Sequence, residues 1–306
     1  MKLEGIHHIS AITGDAPTNV QFYTDTLGLR LVKKTVNQDD PTVYHLFYAD
    51  EKGSPGADLT FFEYPGAAPG RAGRGMVHRI GFRVASEAAL EFWAERLERM
   101  GVDSTRAGAT LGFRDPEGLD LQLRIVQVPD RPLVAEHPQI PADLAIQGFD
   151  GVRAYTDDPA RSREMLETAL GFTSTDGSAF EVRGDERGSS YAYDPSPGPG
   201  APGAGTVHHV AFASRMNEQV AWRERVLAAG GTPTPVIDRF YFREPSGVLF
   251  EIATMGPGFA TDEDPEHLGE RLSLPPAFEH LRTQVEQLLK PLPNPRAATG
   301  ESTVTT

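Results

Sequence analysis

The sequence predicts an α+β fold of four βαβββ units that pair into two half-open barrels, followed by a C-terminal helical tail. Three observations carry that prediction. A strand, a helix and further strands recur in that order four times along 306 residues. Two His-His pairs, Ile6-His7-His8-Ile9 and Val207-His208-His209-Val210, open strand-like runs in nearly the same setting, with Val77-His78-Arg79-Ile80 as a third relative. Arg114-Asp115-Pro116-Glu117-Gly118 and Arg243-Glu244-Pro245-Ser246-Gly247 place the same turn at the same point of the repeat, Pro setting φ and Gly taking the positive-φ corner.

Unit one opens with a strand over 5–12, then a helix over 17–27 in which Val20, Tyr23 and Leu27 recur at helical spacing and Gly28 ends the run. Strands over 30–35, 43–48 and 58–63 complete it. Unit two has a strand over 78–84, a helix over 87–100 capped by Ser86 and stopped by Gly101, and a final strand over 119–125. Unit three begins at 149–155 and carries a helix over 160–170. Unit four begins at 208–212, carries a helix over 217–229, and ends in a strand over 248–253.

Composition sets the domain boundaries. Residues 129–147 are expected to form a Pro-rich linker between an N-terminal domain over 1–128 and a C-terminal domain over 148–256, each holding two units. The tail, 257–306, holds one amphipathic helix near 277–289, with disorder expected from residue 291 onward. A glycine-rich stretch with Arg71 and Arg74 lacks the ending of a phosphate loop and reads as a flexible connector.

Charge and residue usage exclude several functions. A formal net charge of -14 repels nucleic acid and anionic membrane surfaces. No apolar stretch approaches the roughly 20 residues of a membrane helix, and the start of the chain lacks a signal-peptide core, so a cytoplasmic protein is expected. With no Cys, only His and carboxylates remain as metal ligands. A single strand histidine is commonly a packed core residue, but two equivalent pairs, with Glu251 inside an apolar strand, point to a metal. Adjacent strand residues face opposite ways, so one His of each pair addresses a shared ion. Arg79 stands where a second His would be, and unit three has no His, so one site built from units one and four is expected.

Gly5-Ile6-His7-His8-Ile9-Ser10, Tyr44-His45-Leu46-Phe47-Tyr48-Ala49-Asp50, Leu59-Thr60-Phe61-Phe62, Phe242-Arg243-Glu244-Pro245 and Leu249-Phe250-Glu251-Ile252-Ala253-Thr254, with the second His pair, resemble the vicinal oxygen chelate superfamily. Within it they resemble the hydroquinone-type, MhqO-like ring-cleaving dioxygenases, over residues 1 to about 290. The resemblance implies His8, His209 and Glu251 as ligands of Fe(II), with Mn(II) an alternative, and an aromatic substrate and O2 as partners. It places a small hydroxyl residue at Ser10, and an Arg and a Tyr upstream of the Glu ligand, matched by Arg239 and Tyr241. That last segment is about five residues shorter than the family pattern, so Tyr241 matches either of two family tyrosines but not both.

The expected activity is therefore an Fe(II)-dependent extradiol-type cleavage of a hydroquinone or catechol ring. His7 and His208 are candidates for acid/base or ligand-orienting roles, or for the other face of the strand. Glu63 occupies in unit one the place that Glu251 holds in unit four, and reads as a water-exposed strand end; as a fourth ligand it would instead point to a glyoxalase-type isomerase or lyase. A non-catalytic binder of small aromatics is the third reading. A homo-oligomer is compatible with all three.

Overall fold

A computed structural model describes residues 1–38 and 40–296. Unit one consists of β1 (Ile6–Thr13), α1 (Ala16–Gln21) with a wider π-helical continuation over Phe22–Thr26, β2 (Arg30–Val36), β3 (Tyr44–Ala49) and β4 (Asp58–Glu63). Unit two is β5 (Val77–Val84), α2 (Glu87–Arg99), β6 (Ser104–Ala107), β7 (Thr110–Arg114) and β8 (Asp120–Ile125). Unit three is β9 (Phe149–Thr156), β10 (Thr173–Ser174), β11 (Ala179–Arg183) and β12 (Gly188–Pro195). Its helix is split into two short pieces, Pro159–Ser162 and Glu164–Ala169, rather than running continuously from 160 to 170. Unit four is β13 (Val207–Ser214), α3 (Gln219–Ala228), β14 (Arg239–Arg243) and β15 (Leu249–Thr254).

Units pair across the chain, one with four and two with three. One sheet has the order β14-β15-β13-β1-β4-β3-β2, the other β10-β11-β12-β9-β5-β8-β7-β6. In each, the first strands of the two units meet antiparallel at the centre, β1 with β13 and β5 with β9. The stretches 1–128 and 148–256 thus each give one unit to both sheets. Connectors around 66–76 and 196–206 carry the chain between the sheets. They run against each other, with Arg71 and Ala201 exchanging two backbone hydrogen bonds of 2.8 Å. Glycine is required there because a Cβ on Gly73 would lie 2.2 Å from the Gly200 backbone nitrogen. This pairing replaces the expected flexible connector.

Strand alternation builds the core. Ile80, Phe82 and Val84 on β5, with Leu121 and Leu123 on β8, are fully buried, and α2 lays Trp93 over them as α3 lays Trp222 over its own sheet. Ser86 caps α2 as expected, accepting from the Ala89 amide at 3.2 Å. The repeated turns hold Gly118 and Gly247 at φ of 90° and 112°.

Unit four departs from the βαβββ order: among the described residues it has two strands after its helix, so its sheet has seven strands against eight. Pro233 and Pro235 explain this, since they have no amide hydrogen for a ladder. The segment meets β14 through two backbone bonds, Thr234 N to Tyr241 O at 2.9 Å and Ile237 N to Arg239 O at 3.2 Å, and through Tyr241 N donating to Thr234 Oγ1 at 3.0 Å.

The linker is fixed rather than loose, because Asp130 is buried between Arg83 at 2.6 Å and Arg183 at 2.7 Å. The tail covers the β2 edge, where Ser273 N donates to Lys34 O at 2.9 Å, and Leu268, Leu274, Val285 and Leu289 are buried. Its helix begins as a tight turn over Pro276–Leu281 and becomes α4 (Arg282–Leu288). The disorder expected after 291 falls on 297–306, outside the described residues. Residues 291–296 are placed, Arg296 reaching Glu51 at 2.6 Å. Among the described residues no helix is long and apolar enough to cross a membrane.

Candidate metal centre

Units one and four bring His8, His209 and Glu251 together at the middle of the seven-stranded sheet. His8 Nε2 and His209 Nε2 are 3.2 Å apart, and Glu251 Oε2 lies 3.2 Å from the first and 2.9 Å from the second. Three ligands at right angles on one ion, each about 2.1 Å from it, stand roughly 3.0 Å apart, so the spacing fits one face of an octahedron. Glu251 is 1% exposed, and neither of its oxygens accepts a well-aligned hydrogen bond although two imidazoles are within reach. A buried carboxylate left in that state fits a cation. Among the described residues this is the one such cluster of His and carboxylate groups.

The adjacent histidines reach this site through backbone irregularities. The β1–β13 register skips His7 between Ile6/Phe212 and His8/Ala211, and skips His208 between Ser10/His209 and Ala11/Val207. Each first His therefore sits at a β-bulge, which re-aims its side chain. Strict alternation, which sends His7 and His208 away from His8 and His209, fails at both places. His7 Nδ1 lies 3.0 Å from His8 Nδ1, and His208 Nδ1 lies 2.8 Å from His209 Nδ1. The second nitrogen of each candidate ligand is thereby engaged, which fixes the ring and leaves Nε2 facing the centre.

The field of the cluster divides its protons. Burial raises the Glu251 carboxyl, but His8 and His209 outweigh it and hold the group well below the usual range. Burial pulls His209 down to about 4 against the opposing pull of Glu251. For His8 burial also acts downward, and Glu251 outweighs it, so His8 is raised. Burial and then the charge of His8 take His7 down to about 3, while burial and Arg243 lower His208.

Arg239 and Tyr241 stand on β14 beside the cluster. Arg239 Nε donates to the Tyr241 hydroxyl at 3.0 Å and lies 3.8 Å from Glu251 Oε1. Tyr241 is directly opposite Glu251 in the ladder and meets the His209 ring edge-on at 5.5 Å. Ser10 shares a 2.8 Å hydrogen bond with Thr60.

Glu63 does not join the centre. It is buried, not exposed, and it accepts from the amides of Ala16 at 3.2 Å and Tyr44 at 3.4 Å, at the start of α1. Register shows why it is not the counterpart of Glu251. Glu251 pairs with the residue two beyond His209, and the residue two beyond His8, Ser10, pairs with Thr60. Thr60 is the counterpart; Glu63 lies three residues further, on the opposite face.

Two neighbours escaped the sequence reading. Asp58 pairs with His8 across β1 and β4, and its buried carboxyl is pushed up by burial to about 7. His45 stacks on Phe62 at 4.2 Å and bonds to Thr60 at 3.2 Å. Its alternation with buried Tyr44 and Leu46 was the available signal. A cavity of about 110 Å3 reaches His208 and His209, whereas one of about 410 Å3, lined by Arg30, Met100, His137 and Leu268 among others, shares no residue with the centre.

The profile of the Glyoxalase/Bleomycin resistance protein/Dioxygenase superfamily matches residues 5–123 and 148–252. The chain belongs to this superfamily. It is 40% identical to the "Putative ring-cleaving dioxygenase MhqA" of Bacillus subtilis strain 168, covering 95% of this chain and 100% of that protein. It is 30% identical to the "Chlorohydroquinone/hydroquinone 1,2-dioxygenase" of Sphingobium indicum, covering 96% and 97%. A crystal structure of a "putative dioxygenase" from Bacillus subtilis superposes with a TM-score of 0.89 at 38% identity, covering 95% of this chain and 98% of that one. Glyoxalase I from Zea mays, at 17% identity and a TM-score of 0.57 over 82% and 92%, shares the superfamily fold.

Proposed function

We propose that the protein is an extradiol-type ring-cleaving dioxygenase that uses Fe(II) and O2 on a hydroquinone or catechol-like aromatic, with His8, His209 and Glu251 as metal ligands. The observation that carries this reading is the three-atom face of two imidazoles and one carboxylate, with the hydroxyl of Thr60 where a fourth carboxylate would stand. The absence of that second carboxylate disfavours the glyoxalase-type alternative, and the ring-cleaving activities for which the relatives are named point the same way. Fe(II), when bound, supplies redox chemistry and about three open positions for substrate and O2.

The chain's own groups do the rest. His7 and His208 hold the ligand imidazoles through their Nδ1 atoms. Arg239 presents a fixed positive charge to an anionic oxygen of the substrate. Tyr241 accepts from Arg239 and keeps its phenolic proton, its acidity weakened by burial and then by Glu251, so it can donate to an oxygen beside the centre. Phe62 on β4, beside β1, and Phe47 on β3, one strand further, supply apolar surface for a ring.

The test is elemental analysis of anaerobically purified protein followed by O2 uptake with hydroquinones and catechols. Stoichiometric iron and substrate-dependent uptake are expected. Metal without uptake, combined with turnover of a hemithioacetal, overturns the reading in favour of glyoxalase-type chemistry.

A further inference from the structure

Unit one carries a polar ring to which the mechanism above gives no part. His45 lies on β3 with Phe47 on the face opposite buried Tyr44, Leu46 and Tyr48, and it pairs with Phe62 on β4. Its ring is clamped between two aromatics, with centroids 4.1 Å from Phe47 and 4.2 Å from Phe62, the latter at 28°. Nε2 lies 3.2 Å from Thr60 Oγ1, which lies 2.8 Å from Ser10 Oγ, and Ser10 is two residues past His8. Among the described residues no group bonds to Nδ1 of His45.

His45 is part-buried and Nδ1 is not among the buried unpaired atoms, so this nitrogen is open to a guest that can exchange a hydrogen bond with it. Burial, and then the charges of His8, His209 and Arg239, keep this imidazole neutral, so it stands within electrostatic reach of the centre. The three hydroxyl and imidazole groups form a chain that runs in either direction. When Ser10 donates to Thr60 and Thr60 to Nε2, Nδ1 carries the hydrogen and donates; in the reverse direction Nδ1 accepts. Strands lie about 4.8 Å apart, so β3 and β1 are separated by roughly 10 Å, enough for side chains from each to bracket one benzene ring.

We propose that His45 is a specificity-determining residue whose Nδ1 bonds the ring hydroxyl remote from the metal, so that the site prefers 1,4-dihydroxybenzenes to monophenols and catechols. Phe47 and Phe62 hold the plane of its ring, and the Ser10–Thr60 pair occupies Nε2, which leaves Nδ1 to the guest as donor or acceptor. The assignment rests on the ring-cleaving reading for the identity of the guest.

Calorimetric titration of the metal-loaded protein with hydroquinone, catechol and phenol under anaerobic conditions tests it. H45F keeps the aromatic wall and removes both nitrogens; it is expected to weaken hydroquinone binding about tenfold and to leave phenol binding unchanged. H45Q, which offers both a donor and an acceptor, is expected to recover most of that loss. Metal content by elemental analysis is expected to match the wild type in both. Unchanged hydroquinone affinity in H45F, equal losses for hydroquinone and phenol, or loss of metal each overturns the assignment. His45-dependent hydroquinone binding in a protein that consumes no O2 with it sinks the ring-cleaving reading and leaves the role of His45 standing.

Discussion

The two sheets share one backbone plan and carry opposite chemistry. Both bulge at the same point of their first strands, at His7 and His208 in one sheet and at His78 and Asp150 in the other. By register, the four positions held by His8, Thr60, His209 and Glu251 are held in the second sheet by Arg79, Gln122, Gly151 and Ala192. There the cations beside those positions are paired with carboxylates. Arg79 is bidentate to Asp120 at 3.1 and 3.0 Å, and Arg153 to Asp194 at 2.7 and 2.6 Å. His78 also bonds Asp194, at 2.8 Å. In the first sheet one buried carboxylate faces two imidazoles, and the nearest fixed cation, Arg239, stays 3.8 Å away. A repeated fold thus supplies equivalent places, and local charge balance decides whether a place offers a ligand set or a closed ion-pair cluster.

The comparison breaks most sharply at the ligand positions. Glu251→Gln and His209→Ala are each expected to lower metal affinity a hundredfold or more, read as metal content after dialysis; retention of stoichiometric metal in either would refute the proposed centre. The bulge positions come next: His208→Ala is expected to cost about ten- to a hundredfold in metal affinity, because His209 loses the partner that fixes its ring. An unchanged affinity would assign His208 to the wall of the centre alone.

Acid separates the two sheets. His8 is raised in the folded protein, so a proton competes with metal below that value, and affinity is expected to fall by up to about tenfold per pH unit as pH drops. Asp194 is held at about 2, chiefly by the hydrogen bond from Arg153. Its folded value is depressed, so its contribution is complete above the ordinary carboxylate range and is lost only as pH falls toward about 2. Metal content and circular dichroism followed between pH 8 and pH 3, taken as about the span of these carboxylate and imidazole values, should show metal leaving well before the fold does. Coincident loss would contradict the division.

The smallest effects lie off the centre. Glu63→Gln is expected to leave metal content unchanged and to lower stability by about 1 kcal/mol, through weaker bonds to the Ala16 and Tyr44 amides. Arg79→Met removes a part-exposed ion pair and is expected to change stability by about 1 kcal/mol or less in thermal unfolding.

Residue patterns made the repeat legible. The apolar runs, the Pro-Glu-Gly and Pro-Ser-Gly turns and the His pairs each recur with a period that local sequence carries, and the departure of unit four is written in Pro233 and Pro235. The site was legible in kind: with no Cys, two His pairs and an inward Glu leave few other chemistries. The sequence left His7 and His208 open between a ligand-orienting role and the other face of the strand, because a bulge is a property of two strands in register and not of one. Glu63 was matched to Glu251 for the same reason, through counting along a strand instead of across a ladder.

The sequence by itself determined the unit, its strands and the ligand types, since these follow from hydrophobic period and side-chain chemistry within a few residues. Tertiary structure alone decided which strands of units one and four pair and in what register, that His7 and His208 turn toward His8 and His209, and that His45 stands over the same face. Each of those depends on which strands share hydrogen bonds, and partners some two hundred residues apart are chosen by packing of the whole chain, not by any segment of it.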